Sequence, residues 1–217
     1  MDRGSPPSAR TRVKRYGELG RYDRPTIDAI LDAMPVCTVG YVVDGSPFVT
    51  PTLQWREGDT VYWHGSAASR MLETAEDAEV CLNVTILDGI VLARSAFNHS
   101  VNYRSVMLLG RARRITDLDA KRRHLETFVD RLTPGRWAML RPMTEKEMKA
   151  TTVLALPIAE ASAKVSEGMP TDDEADYAWP VWAGVIPLRT EVLAAEADPR
   201  NLEGVARPPH LDDFHIG

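Results

Sequence analysis

The chain has 217 residues, a formal net charge of −5 and a pI near 5.6. That length suits one domain with a substantial core and arms, and the mild acidity argues against nucleic acid as the main partner. No apolar run approaches the ~20 residues needed to span a bilayer, and the polar N-terminus does not read as a secretory signal, so a cytoplasmic protein without a membrane partner is expected.

Residues 1–20 are rich in Arg, Gly, Ser and Pro without hydrophobic periodicity, and they read as a flexible arm whose Val13, Tyr16 and Leu19 could dock on a partner. After Asp23, Pro25 opens a short amphipathic helix. Ile27, Ile30, Leu31 and Met34 recur at helical spacing until Pro35 stops the run. Strands follow over 36–43 and 48–55, joined by the turn Asp44-Gly45-Ser46-Pro47. Pro51 lies within the second of them. It cannot donate to a ladder, so it marks an edge or a bulge, where a strand can turn polar groups toward a ligand. Cys37 and Cys81 sit in apolar strand-like runs without metal-ligand spacing and read as buried, reduced thiols.

A third strand, Thr60-Val61-Tyr62-Trp63, passes through His64-Gly65-Ser66 into a helix-like run over 67–75. A strand that turns into a helix through small residues presents unpaired backbone N–H groups. Here the hydroxyls of Ser66 and Ser69 and the guanidinium of Arg70 stand beside them. Such a corner suits a phosphate. In the alternative reading Ser66 only caps the helix and Arg70 is solvated.

Strands over 79–87 and 91–93 are separated by the turn Asp88-Gly89-Ile90, and one long strand runs from 101 to 115. Asp117 caps a helix over 118–132, with Leu125, Phe128, Val129 and Leu132 at core spacing and Pro134-Gly135 at its end. Thr144 to Glu147 has the capping-box pattern of a further short helix. A strand over 152–158 continues over 161–165. The acidic stretch 171–177 reads as a mobile loop, and a strand over 181–188 closes the sheet. His210 and His215 stand near Asp212 and Asp213, but on so polar and Pro-rich a tail no metal site is expected.

Taken in order, several pieces carry a family resemblance. They are Phe48-Val49-Thr50-Pro51-Thr52-Leu53, the turn Arg56-Glu57-Gly58-Asp59, Val61 to Ser66 with Ser69-Arg70, Asn102-Tyr103-Arg104-Ser105-Val106 before Gly110-Arg111-Ala112, and Pro180-Val181-Trp182-Ala183-Gly184. Together they resemble the FMN-binding split-barrel proteins related to pyridoxamine 5'-phosphate oxidase, most of all the branch that includes nitroimidazole-resistance proteins. The similarity covers roughly residues 21–192. It implies a β-rich α+β fold: a six-stranded antiparallel split β-barrel of Greek-key type with short flanking helices, between an arm at 1–20 and a tail at 193–217. It also implies a homodimer with FMN between the subunits. Thr50, Pro51, Thr52 and Leu53 would lie along the isoalloxazine, and Ser66, Ser69 and Arg70 would hold the phosphate. Arg104, Ser105 and Trp182 match other contacting positions. His64, polar and titrating near neutrality at the mouth of the corner, is the candidate catalytic residue. A strand-end histidine can equally be structural, and Arg104 can equally be a surface residue on a strand edge.

The expected activity is that of an FMN-dependent oxidoreductase on a small organic molecule such as a nitroaromatic. The alternative is a flavin carrier or sensor without turnover, or a protein holding deazaflavin or haem in the flavin's place, although no histidine stands at a family-matched haem-ligand position. Pyridoxamine 5'-phosphate oxidation itself is not expected. The oxidases hold the substrate's own phosphate with cations where this chain has Thr50, Leu53 or Gln54, and Met71. No Lys occurs between Lys14 and Lys121, and Arg189 follows Trp182 without the oxidases' His-x-Arg pairing.

Overall fold

A computed structural model describes residues 3–217. The alternating apolar runs form one antiparallel, ten-stranded sheet that curls on itself. Its strands are β1 (Gly20–Arg21), β2 (Val36–Val43), β3 (Ser46–Glu57), β4 (Thr60–Ser66), β5 (Glu79–Leu92), β6 (Ser100–Arg111), β7 (Arg113–Arg114), β8 (Thr151–Pro157), β9 (Glu160–Ser166) and β10 (Gly184–Pro187). The order is β1-β9-β6-β5-β2-β3-β4-β8-β7, with β10 on the outer end of β5. The helices are α1 (Arg24–Ala33), α2 (Arg70–Ala75), α3 (Leu118–Leu132) and α4 (Glu145–Ala150). The expected split barrel is therefore present, with seven long strands in place of six and the short β1, β7 and β10 added at their edges and ends. Among the described residues no helix is long and apolar enough to cross a membrane.

The inward positions of β2, β4, β5, β6, β8 and β9 fill the barrel. Val39, Val61, Trp63, Leu82, Val84, Val106, Leu108, Leu154, Leu156 and Ala163 are all fully buried there. Burial pushes the Cys37 thiol up to about 12; both cysteines are free. The seam between β6 and β8 closes by side-chain contact: a Cβ at Gly110 would come within 3.1 Å of Leu156 Cδ1. A second, smaller core lies outside the barrel, where Leu125 and Phe128 of α3 cover Trp55 of β3 and Val153 of β8.

α1 plugs one end of the barrel with Ile27, Ile30 and Leu31. Asp23 caps it, accepting from the Thr26 N–H at 3.0 Å. At the other end the buried amide of Gln54 donates to Leu31 O (2.6 Å) and Met34 O (2.8 Å), so a β3 side chain satisfies two carbonyls left over by the helix.

Several elements differ from the sequence expectation for local reasons. The arm is docked, since Arg10 pairs with both Glu79 and Glu160 and Val13 N–H donates to the Tyr22 hydroxyl; periodicity does not register such polar contacts. The expected turn at Asp88 is a bulge in a continuous β5, with the register shifting between Leu87 and Gly89. Gly89 permits this because a Cβ there would meet Val185 Cγ1 at 3.0 Å. The 152–165 segment turns a corner at 158–159, so that β8 pairs with β4 while β9 pairs with β6.

Candidate functional site

β3 belongs to both halves of the barrel. It pairs with β2 from Ser46 to Leu53 but with β4 only from Gln54 to Glu57. Past Trp63, β4 leaves β3 and runs along β8 alone, with His64 opposite Val153 and Ser66 opposite Thr151. The edge of β3 from Ser46 to Leu53 therefore lies open along a split. Gln54 N–H donates to Pro35 O at 2.7 Å. By the alternation of an antiparallel ladder, Thr52 and Thr50 also turn their N–H groups toward β2, and Pro51 faces the open edge. The proline sits where its missing N–H breaks no ladder bond, as expected of an edge.

Across the split stands the Ser66–Arg70 corner. Gly65 lets β4 pass close to α2, since a Cβ there would come within 3.1 Å of Leu72 Cδ1. Met71, Leu72 and Ala75 anchor the helix in the barrel core. Ser66 Oγ accepts from Ala68 N–H at 3.3 Å, and Ser69, in the N-cap position, makes no capping bond with its side chain. The Arg70 guanidinium lies 4.3 Å over the Phe48 ring. Phe48 stacks on Tyr41 at 5.7 Å, and the Tyr41 hydroxyl is 3.1 Å from Thr50 Oγ1. Arg70, Phe48, Tyr41 and Thr50 thus form one contact chain from the corner to β3. Among the described residues Arg70 has no carboxylate partner. Phe48 carries the resemblance without a site role, and Tyr41 gives no signal of its own, because an aromatic in a strand looks like core, where Tyr41 indeed lies.

The other predicted residues are distributed. His64 packs on Phe128 (4.5 Å between centroids) and Trp55 (5.9 Å), in the cluster under α3, with its Nδ1 buried and unpartnered. Nearby, Glu57 Oε1 accepts from Trp55 Nε1 (2.7 Å) and contacts His124 Nδ1 (2.9 Å). Arg104 and Ser105 are on β6, three strand spacings from β3, or roughly 14 Å. Being adjacent on one strand, they point to opposite faces. Arg104 forks the Asp88 carboxylate at 2.9 and 2.8 Å and lines a cavity of about 600 Å³ against α1. Trp182 is exposed just before β10. One protomer therefore brings Thr50, Ser66, Ser69 and Arg70 to the split, with Pro51, Thr52 and Leu53 along its edge. It does not bring Arg104, Ser105 or Trp182 there.

Burial pushes the His64 imidazole below its ordinary 6.5. The unfolded chain then takes up this proton at higher pH than the folded one, so stability falls as the pH drops below about 6.5. A His64→Phe variant is expected to show a flatter melting temperature between roughly pH 6.5 and 5 than the parent. Equal slopes in the two proteins would show that the folded imidazole titrates normally.

Residues 23–165 match the sequence profile of the family described as pyridoxamine 5'-phosphate oxidase. No curated protein matches the chain. Among solved structures, the flavocytochrome Anf3 from Azotobacter vinelandii is 56% identical with a TM-score of 0.96, over 99% of this chain and 100% of that one. The FAD and heme binding protein from Mycobacterium smegmatis is 40% identical with a TM-score of 0.86, over 91% of this chain and 98% of that one. A chain described as a 5-nitroimidazole antibiotic resistance protein, from Bacteroides thetaiotaomicron, shares the fold at 23% identity and a TM-score of 0.55, over 67% of this chain and 86% of that one. With two thirds of its length inside that profile and with relatives 56% and 40% identical over nearly the whole chain, the chain belongs to the pyridoxamine 5'-phosphate oxidase family.

Proposed function

We propose that the chain is a flavin-binding redox protein. Its phosphate site is Ser66, Ser69 and Arg70, and its ring site is the open edge from Thr50 to Leu53. The observation that carries this reading is the Arg70 guanidinium. It is held over Phe48 at the split with no carboxylate among the described residues to neutralise it, beside a Ser69 hydroxyl that makes no capping bond. Unspent donors facing an unpaired strand edge fit a phosphate joined to a flat polar ring. A flavin supplies hydride and single-electron transfer when bound. The chain's own part is to bind the phosphate, to orient the ring along β3 and to limit what approaches it.

The reading includes a homodimer. Val42, Val49 and Leu53 are 58, 69 and 37% exposed on the outer face of β2 and β3, an apolar surface suited to a second copy. Arg104, Ser105 and Trp182 lie too far from Thr50 to serve the same ring within one protomer, so a two-fold partner would supply Trp182 and one of the β6 pair, whose side chains point to opposite faces. FMN is what the resemblance implies, while the 40% identical relative is named for FAD; both share the ring and the first phosphate.

A second reading, that the chain also holds haem, is favoured by the names of the two most fully overlapping relatives above. Haem iron takes a neutral imidazole nitrogen. His64 Nδ1 and His210 Nε2 are both buried without a hydrogen-bond partner, so each has an unspent nitrogen of the kind haem iron takes.

Pyridoxamine 5'-phosphate is not the substrate in this reading. Met71 is buried in the barrel core and Gln54 caps α1, so neither position is free to meet a second phosphate dianion. The electron acceptor is a smaller-charged organic molecule, such as a nitroaromatic. One set of measurements on the purified protein tests the whole reading. Flavin absorption near 450 nm, with a Soret band near about 400 nm if haem is present, a dimeric mass by light scattering, and no saturable oxygen uptake with pyridoxamine 5'-phosphate are expected. A protein that neither carries nor takes up flavin would sink it.

A further inference from the structure

Among the described residues from 164 to 183, Asp172 alone is buried, although it is a carboxylate and its neighbours are solvent-facing. Its side chain is fully enclosed. Its oxygens accept from the Arg94 N–H at 3.1 Å and the Arg94 guanidinium at 3.2 Å, with the Asn98 amide at 3.5 Å. Burial pushes the carboxyl up, but these donors outweigh it and hold it below the usual carboxylate range. The Arg94 guanidinium also covers the Tyr177 ring at 4.7 Å. The clamp thus ties the acidic segment to the connection between β5 and β6.

At its other end the segment is fixed by β10. Gly184 to Pro187 pairs with Leu92 to Gly89, and Leu188 N–H donates to Asp88 O at 2.9 Å. The Trp182 indole lies against Gly184 at the start of this strand: a Cβ there would come within 2.7 Å of the ring, so any side chain at 184 would push the indole aside. Residues 173–183 between the two anchors have no buried side chain. Packing cannot give this stretch its shape, and its shape must come from the anchors.

We propose that Asp172 is a positioning residue, clamping the 173–183 strap so that Trp182 stands as a fixed wall against the flavin ring; this rests on the flavin reading above, with Trp182 serving the partner's ring. Asp172 touches neither cofactor nor substrate and acts through Trp182. An indole next to an isoalloxazine quenches flavin fluorescence, so the placement is readable without turnover.

The test uses the flavin-loaded full chain and its variants Asp172→Ala, Asp172→Asn, Trp182→Ala and Asp172→Ala/Trp182→Ala. Flavin fluorescence in Asp172→Ala is expected to rise to the level of Trp182→Ala, with no further rise in the double variant. Amide exchange over 173–183 should quicken by on the order of tenfold, as when one charge-assisted contact is lost, while the barrel strands keep their protection. Asp172→Asn, which keeps the shape and one acceptor, should fall between parent and alanine variant, and it carries the test if Asp172→Ala does not fold. Parent-level fluorescence in both Asp172 variants, with Trp182→Ala dequenched, would overturn the clamp and leave the flavin reading intact. Unchanged fluorescence in Trp182→Ala itself would overturn the placement of Trp182, and the clamp's role with it.

Discussion

Replacing Arg70 with alanine is expected to weaken flavin binding about tenfold, the effect of losing one charge-assisted contact of ~1.5 kcal/mol. The low end of the usual range applies because Arg70 is exposed, and its field is screened by water and salt. Two controls sharpen the result. Arg70→Lys keeps the charge but loses the planar fork and its stacking on Phe48, so it should recover only part of the affinity. The parent's affinity should fall with added salt more steeply than that of Arg70→Ala. Titration of apoprotein with FMN and with FAD measures all three, and equal affinity in parent and Arg70→Ala would remove the phosphate corner from the site.

The second large effect is on stability. Trp63 is fully buried at the centre of the barrel, on the strand that carries the corner. Trp63→Ala is expected to destabilise by about 3–5 kcal/mol, which for a chain of this size lowers the melting temperature by roughly 6–20 °C. Trp63→Phe should be far milder. The smaller ring loses contacts, but it also removes an indole N–H that is buried without an acceptor, and the two changes partly offset. Thermal melts of the three proteins decide it. A tryptophan-to-phenylalanine loss as large as the loss to alanine would mean that the indole N–H has a partner after all.

The fold was legible because its signals are local and repeated. Asp23 and Pro25 announce α1, and Asp117 and Thr144 cap α3 and α4 as read. Of the strands from Val36 to Ser66, β2 has the expected bounds, while β3 and β4 run past the apolar alternation into Ser46-Pro47, Arg56-Glu57 and His64-Gly65-Ser66. The corner was legible for a similar reason, since Ser66, Ser69 and Arg70 are neighbours in the chain. What periodicity could not register were contacts between distant polar residues. The 171–177 stretch reads as a loop because acidic residues are ordinarily solvated, and nothing local tells Asp172 that Arg94 will cover it. His64 sits two residues from Ser66 in sequence, yet α3, more than fifty residues later, decides what its ring touches. Arg104 and Ser105 look like one contact pair on paper, and the pleat of β6 sends them to opposite faces.

The split itself has a consequence for the chain before any cofactor arrives. From Ser46 to Leu53, β3 is a bare sheet edge beside an apolar outer face. Such an edge is a template on which other extended chains can zip, the first step toward aggregation. Pro51 stands in the middle of it with Pro47 near its end, and neither can donate an N–H to an incoming strand. Under the proposed function, the residues that leave this edge open to a flat ligand are also the ones that refuse a peptide. The two prolines thus protect the edge from pairing with other extended chains before any ligand covers it.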